Sequence, residues 1–135
     1  MREILFRGKR VDIGEWIEGY SLQLYRSERA FIVPKQFVQR GILRMSGETL
    51  PKIIPIEVIP ETVGQYIGLT DKNGKKIFEG DIMQLCSACY PCLVYWDGKG
   101  WAWKQNGKRR EIDLTREKMD TIGNIYDSPE ILEEL

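Results

Sequence analysis

Apolar positions in this chain fall in short runs, often alternating with polar ones, and Gly, Pro, Asn or Asp breaks them every few residues. That pattern predicts strands and tight turns rather than long helices. Ile4 to Phe6 is a short apolar run, and Trp16 to Leu24 alternates in part. Phe31 to Val33 and Ile53 to Ile59 are β-branched segments interrupted by Pro34, Pro51, Pro55 and Pro60. Proline lacks the ladder N–H, so Pro55 predicts an edge strand or an extended connection. Gln36 to Met45 reads either way, with Gly41 weakening a helix.

The second half is more regular. Gln65 to Leu69 leads into Thr70-Asp71-Lys72-Asn73-Gly74, and Ile77-Phe78 follows. Asn-Gly predicts a hairpin turn because both residues tolerate positive φ. A three-stranded meander then follows: Leu93 to Trp96, Trp101 to Gln105 and Lys108 to Leu114, joined by turns at Asp97-Gly98-Lys99-Gly100 and Asn106-Gly107. Pairing Trp96 with Trp101 sets Val94 against Trp103. The Asn-Gly turn then sets Trp101 against Ile112, Trp103 against Arg110 and Lys104 against Arg109. One face holds Val94, Trp96, Trp101, Trp103 and Ile112; the other holds Leu93, Tyr95, Ala102, Lys104, Arg109 and Glu111. The chain ends in Thr121 to Tyr126 and a short helix, capped by Asp127 or Ser128 with Pro129 at the first helical position. Short strands at close spacing predict a small barrel in this half.

Composition narrows the chemistry. The chain has 135 residues, 20 Lys+Arg, 20 Asp+Glu, three cysteines and no histidine. Without histidine there is no Ser-His or Cys-His dyad and no His-metal site. Zero net charge argues against indiscriminate polyanion binding. Residues 1–60 hold ten basic and seven acidic side chains, and residues 61–135 hold ten basic and thirteen acidic, so opposed patches could serve self-association as readily as a foreign partner. No apolar run reaches the roughly 18 residues of a membrane span. Three cysteines cannot all pair within one chain, which points to a reducing cytoplasm.

Three constellations carry candidate chemistry. Cys86, Cys89 and Cys92 have the spacing of a thiolate metal loop but lack a fourth Cys or a His; the alternative is an ordinary connection between strands. Tyr95, Trp96, Lys99, Lys104, Lys108, Arg109 and Arg110 form a basic, aromatic segment that could stack and neutralise a nucleic acid strand. Against that, Trp96, Trp101 and Trp103 share a face with Val94 and Ile112, a composition normal for a core. Lys104 opposite Arg109 is an unfavourable like-charge pair, so either the register differs, or Glu111 relieves the pair, or an anion binds there. Asp81 with Asp97-Gly98-Lys99 loosely imitates a metal-dependent nuclease, although the second group reads better as a hairpin tip. No phosphate-binding loop and no nucleophile elbow is present.

The run Thr62-Val63-Gly64-Gln65-Tyr66-Ile67-Gly68-Leu69-Thr70-Asp71-Lys72-Asn73-Gly74-Lys75-Lys76-Ile77-Phe78-Glu79-Gly80-Asp81-Ile82 resembles the signature of the YopX-like phage and prophage proteins. The opening Arg2 to Gly8 and the ending Ile122 to Leu132 are similar to that family's ends. The resemblance implies a mainly β protein with an N-terminal self-association lobe, residues 1–60. It implies a C-terminal SH3-like small barrel with a short final helix, residues 61–135. It implies no activity and no catalytic residues. Gly64, Gly68, Asn73, Gly74, Gly80 and Asp81 of the motif look structural, with Gly64 and Gly68 at bends. The expected protein is therefore non-enzymatic, without cofactor, in the cytoplasm of a bacterial host. Its expected partners are a second copy of itself and an unknown phage or host protein, with no membrane. Nucleic acid binding through residues 96–110 is the alternative, and a metal-dependent nuclease the remote one.

Overall fold

Alternation and turn chemistry produce thirteen strands in the computed structural model, which describes residues 3–23, 28–34, 41–43, 49–51, 54–111 and 119–135. The protein is mainly β, and the pairings of these strands are antiparallel. The chain divides into two compact units, one ending at Gln65 and the other running from Tyr66 to Leu135.

In the first unit, β1 (Phe6–Lys9), β2 (Trp16–Gln23), β3 (Ala30–Pro34) and β6 (Ile56–Val58) lie side by side in the order β6-β3-β2-β1. The short hairpin of β4 (Gly41–Leu43) and β5 (Thr49–Pro51) is a separate ladder. β6 starts immediately after Pro55, so the missing N–H falls outside the ladder. Val58 also bridges Arg10, and Ile59 N donates to Lys9 O at 2.8 Å, so the end of β6 meets the residues at the end of β1 without forming a full ladder. Ile32 and Val58 are fully buried. A Cβ on Gly8 would come within 2.8 Å of Val58 Cγ2, so the core closes here only because Gly8 has no side chain. On the other face the Arg7 guanidinium lies 4.7 Å from the centre of the Trp16 ring, a cation–π contact. Thr62, in a 3-10 turn at Pro60–Thr62, accepts from Lys9 N at 2.9 Å and donates to Ile59 O at 2.6 Å.

β7 (Gly64–Thr70) opens with Gly64 and Gln65 paired to Arg7 and Phe6. In the second unit its later residues pair with β8 (Lys76–Phe78). Gly68, at φ +91°, sits where that register slips, so it is the bulge, whereas Gly64 lies in regular strand rather than at a bend. The connecting turn is built on Asp71. Its Oδ1 accepts from Asn73 N and Lys75 N at 2.8 and 2.9 Å, and its Oδ2 from Thr121 Oγ1 at 2.7 Å. Gly74 has positive φ but Asn73 does not, so this is a carboxylate-centred turn and not the two-residue Asn-Gly turn the sequence suggests. Asn106 and Gly107 do form that turn, at φ +49° and +75°.

The second unit's sheet has the order β12-β11-β10-β9-β13. Its strands are β9 (Asp81–Gln84), β10 (Cys92–Trp96), β11 (Trp101–Gln105), β12 (Lys108–Glu111) and β13 (Asp120–Asn124). Ile67, Ile77, Met83, Cys92 and Val94 form its core, with Leu69, Trp101, Trp103 and Met119 packed against them. The sheet is open between β12 and β13, so the SH3-like closure expected of this half is not found among the described pairings. Residues 112–114 of the expected third strand, including Ile112, lie outside the described residues. The final helix is a 3-10 helix, Pro129–Glu134, with Ser128 as cap and Pro129 first, as the sequence predicts. Asn124 Oδ1 shapes its approach by accepting from Tyr126 N and Asp127 N. Leu135 O then accepts from Gly107 N at the far side of the sheet.

Among the described residues no helix is long and apolar enough to cross a membrane. Replacing Asp71 by Ala orphans two backbone amides and the Thr121 hydroxyl. The expected loss is about 1.5–3 kcal/mol in urea unfolding, with Asp71→Asn retaining part of it through the Oδ1 acceptor.

Candidate binding surface on the three-stranded meander

The meander register agrees with the sequence reading over the described strands. Trp96 pairs with Trp101, Val94 with Trp103, Leu93 with Lys104, Trp103 with Arg110 and Lys104 with Arg109. Side chains alternate, so this register sorts every charge. Val94, Trp96, Trp101, Trp103, Gln105, Lys108 and Arg110 share one face, and Leu93, Tyr95, Ala102, Lys104 and Arg109 share the other. The basic run therefore does not form one patch. Only Lys108 and Arg110 lie on the tryptophan side, while Lys99 stands at the turn.

Within that face there is a gradient of burial. Val94 is fully buried, Trp101 and Trp103 are half-buried against the core, and Trp96 is 50 % exposed. The Trp96 and Trp101 rings meet edge to face, 5.0 Å apart at 71°. Trp101 and Trp103 are thus core-packed in the way their face predicts, and Trp96 presents an open indole surface. Tyr95 on the opposite face is half-buried.

The Lys104–Arg109 clash is eased at Arg109 by Asp97, a residue of the hairpin tip. Asp97 accepts from Arg109 Nε at 2.6 Å and contacts its terminal nitrogen as well. Its Oδ1 simultaneously accepts from Lys99 N and Gly100 N, each at 2.8 Å. Those two amides, with the Arg109 charge, hold the Asp97 carboxyl at about 2. The Glu111 side chain, which the sequence offers for the same purpose, lies outside the described residues.

The remaining candidate chemistry is committed to structure. Asp81 is buried, and its Oδ2 accepts from Phe78 N at 2.8 Å across the Glu79-Gly80 turn. Gly80 has φ +89°, and a Cβ there would lie 3.0 Å from the Tyr126 ring. Both carboxylates of the nuclease-like pattern therefore have backbone partners. Cys86 and Cys89 are joined in a disulfide, which overturns the three-thiolate loop and removes the cysteine count as an argument for a reducing compartment. Cys92 is a separate, buried thiol in the core, pushed up by burial and only partly offset by the Arg110 charge. Among the described residues no group of three or more Cys, Asp or Glu side chains is arranged around a metal position.

Fold and surface together define a two-unit β protein whose buried carboxylates anchor turns and whose exposed side chains include large apolar and aromatic ones. The chain belongs to the family described as YopX protein, whose model matches residues 5–133. Its backbone is similar to the crystal structure of protein EF1440 from Enterococcus faecalis, with a TM-score of 0.60 and 22 % identity over 98 % of this chain and 99 % of that one. At that identity the likeness bears on the fold alone. No curated protein matches the chain.

Acid titration tests the Asp97 hairpin. Its folded value of about 2 lies below the ordinary 3.8, so the stabilisation is complete above 3.8 and is lost as pH falls through about 2. Carboxyl carbon NMR should follow this midpoint, and Arg109→Gln should move it upward towards 3.8 without restoring it fully, because the two amides remain.

Proposed function

We propose that this YopX-family chain is a non-enzymatic binding protein, encoded by a phage or prophage and acting in the bacterial cytoplasm, that assembles with copies of itself through its first unit. The observation that carries the reading is the set of large apolar side chains left exposed there. Ile4, Val11 and Ile13 are 61 %, 55 % and 56 % exposed, and Ile59 is 36 % exposed. Val11 N bonds Glu57 O and Ile59 N bonds Lys9 O, on either side of the Arg10–Val58 bridge. Strand parity then places Val11 and Ile59 on one outward face, opposite to the buried Val58. Exposed apolar groups gathered in this way favour contact with another protein surface. The basic first 60 residues and the acidic remainder supply complementary charge for a second copy.

Sedimentation velocity over a hundredfold dilution tests this. The protein is expected above the 15.7 kDa of one chain at high concentration, and the Val11→Glu, Ile13→Glu double variant is expected to remain at that mass throughout. A wild-type chain monomeric at every concentration would remove the self-association reading.

Single-stranded nucleic acid binding is the second reading, favoured by the open Trp96 indole beside Lys108 and Arg110 on one face. Two phosphate contacts give a log affinity against log salt slope of roughly −1.4. Trp96→Ala and Arg110→Glu should each weaken an oligonucleotide complex about tenfold, consistent with about 1–3 kcal/mol per stacked base. Lys104→Glu, on the opposite face, should leave it unchanged. Equal effects from all three variants would show that the meander face is not the site.

A further inference from the structure

The Cys86–Cys89 pair closes the connection between β9 and β10, with only Ser87 and Ala88 between the two cysteines. A disulfide stabilises chiefly by restricting the unfolded chain, and the effect grows with the length of the loop closed. A crosslink spanning three positions in sequence is therefore among the least stabilising a chain can make. This loop is also held without it. Cys89 N donates to Cys86 O at 3.0 Å, Gln84 Nε2 donates to Cys89 O at 2.7 Å, and Gln105 Nε2 donates to Tyr90 O at 3.0 Å. Cys86 is exposed together with Ser87 and Ala88, and Cys89 is half-buried. Exposed disulfides of little structural value are the ones that exchange.

We propose that Cys86–Cys89 is a thiol–disulfide exchange site, opened by an external thiol while the β9–β10 strands stay paired. An external thiolate attacks Sγ of the more exposed Cys86. The bond to Cys89 breaks, and Cys89 leaves as a thiolate that takes up a proton. A second external thiolate attacks the external sulfur of that mixed disulfide, the bond to Cys86 breaks, Cys86 leaves as a thiolate that takes up a proton, and an external disulfide is released. The protein gains two electrons and two protons, and two external thiols become one disulfide. Cys92 takes no part, because it lies in the core with Met83 and Val94. The opened loop is flanked by Leu85 and Tyr90, both exposed, so exchange alters an apolar segment of the surface. The inference is independent of the self-association reading.

The full chain is equilibrated in buffers of reduced and oxidised glutathione, quenched with an alkylating reagent without denaturant, and mapped by peptide mass spectrometry. Cys86 and Cys89 should become labelled together as the buffer turns reducing, while Cys92 stays unlabelled until urea is added. The rate of reduction by dithiothreitol should exceed the global unfolding rate and be insensitive to low urea. Reduction only at the unfolding rate would overturn the assignment, as would full labelling of both cysteines in air-oxidised protein. A second variant isolates the first step. Folded Cys89→Ser should accept glutathione on Cys86 from glutathione disulfide, and failure to do so, with the adduct forming only in urea, would refute it. Cys92→Ala should exchange as the wild type does; loss of exchange in that variant would also refute it.

Discussion

The meander of the second unit depends on one geometric constraint: two tight turns lock a strict two-residue alternation across β10, β11 and β12. The Asp97–Gly100 turn fixes Trp96 against Trp101, and the Asn106-Gly107 turn fixes Gln105 against Lys108. Once both are set, no side chain can choose its face. A slip of one residue in the first turn would bring Lys104 onto the face of Val94, and a slip in the second would bring Arg109 onto the face of Trp103. The energy against either slip comes from moving a charge toward an apolar face. The indole gradient, from core-packed Trp103 to open Trp96, follows from the same register.

Polar side chains in this protein act mainly as turn braces. Asp71, Asp81, Asp97 and Asn124 each accept from backbone amides close by in sequence, and each marks a change of chain direction. Burial raises the free energy of the Asp71 carboxylate more than any other single influence, yet its hydrogen bonds from Thr121, Lys75 and Asn73 outweigh this and hold it below the usual carboxylate range. A carboxylate so held has few lone pairs left for a metal ion or a substrate proton. The acids that a sequence scan offers as catalytic candidates, Asp81 and Asp97, are serving the turns.

Much of this was legible in the sequence because register needs only turn residues and parity. The pairing of Trp103 with Arg110, the Asn106-Gly107 turn and the Ser128-Pro129 start of the last helix all follow from local chemistry. What was illegible depended on three-dimensional partners. Asn73-Gly74 has the same dipeptide as Asn106-Gly107, but Asp71 captures the amides of Asn73 and Lys75 and rewrites the turn. The Asp97–Arg109 pair was within reach. Extending the Leu93, Tyr95 parity by one step puts Asp97 on the face of Arg109, and that ion pair eases the like-charge conflict at Arg109. The cysteine spacing suggested three equivalent thiolates; the structure separates them, because Cys92 belongs to β10 and faces the core while Cys86 and Cys89 belong to the loop.

The same parity argument limits what the meander can recognise. Five basic residues lie between Lys99 and Arg110, a density that on composition alone suggests a polyanion site. Alternation divides them, and Asp97 neutralises one of the two on the far face. The tryptophan face is left with two cations beside one open ring. Two phosphate contacts give weak, mildly salt-dependent binding, so any affinity there has to come from stacking on Trp96. The first unit has the opposite character: its exposed groups are aliphatic, and burying them needs a surface rather than a charge. A contact made by Val11, Ile13 and Ile59 would gain from the removal of apolar area, which salt does not screen. That contrast follows from side-chain type alone.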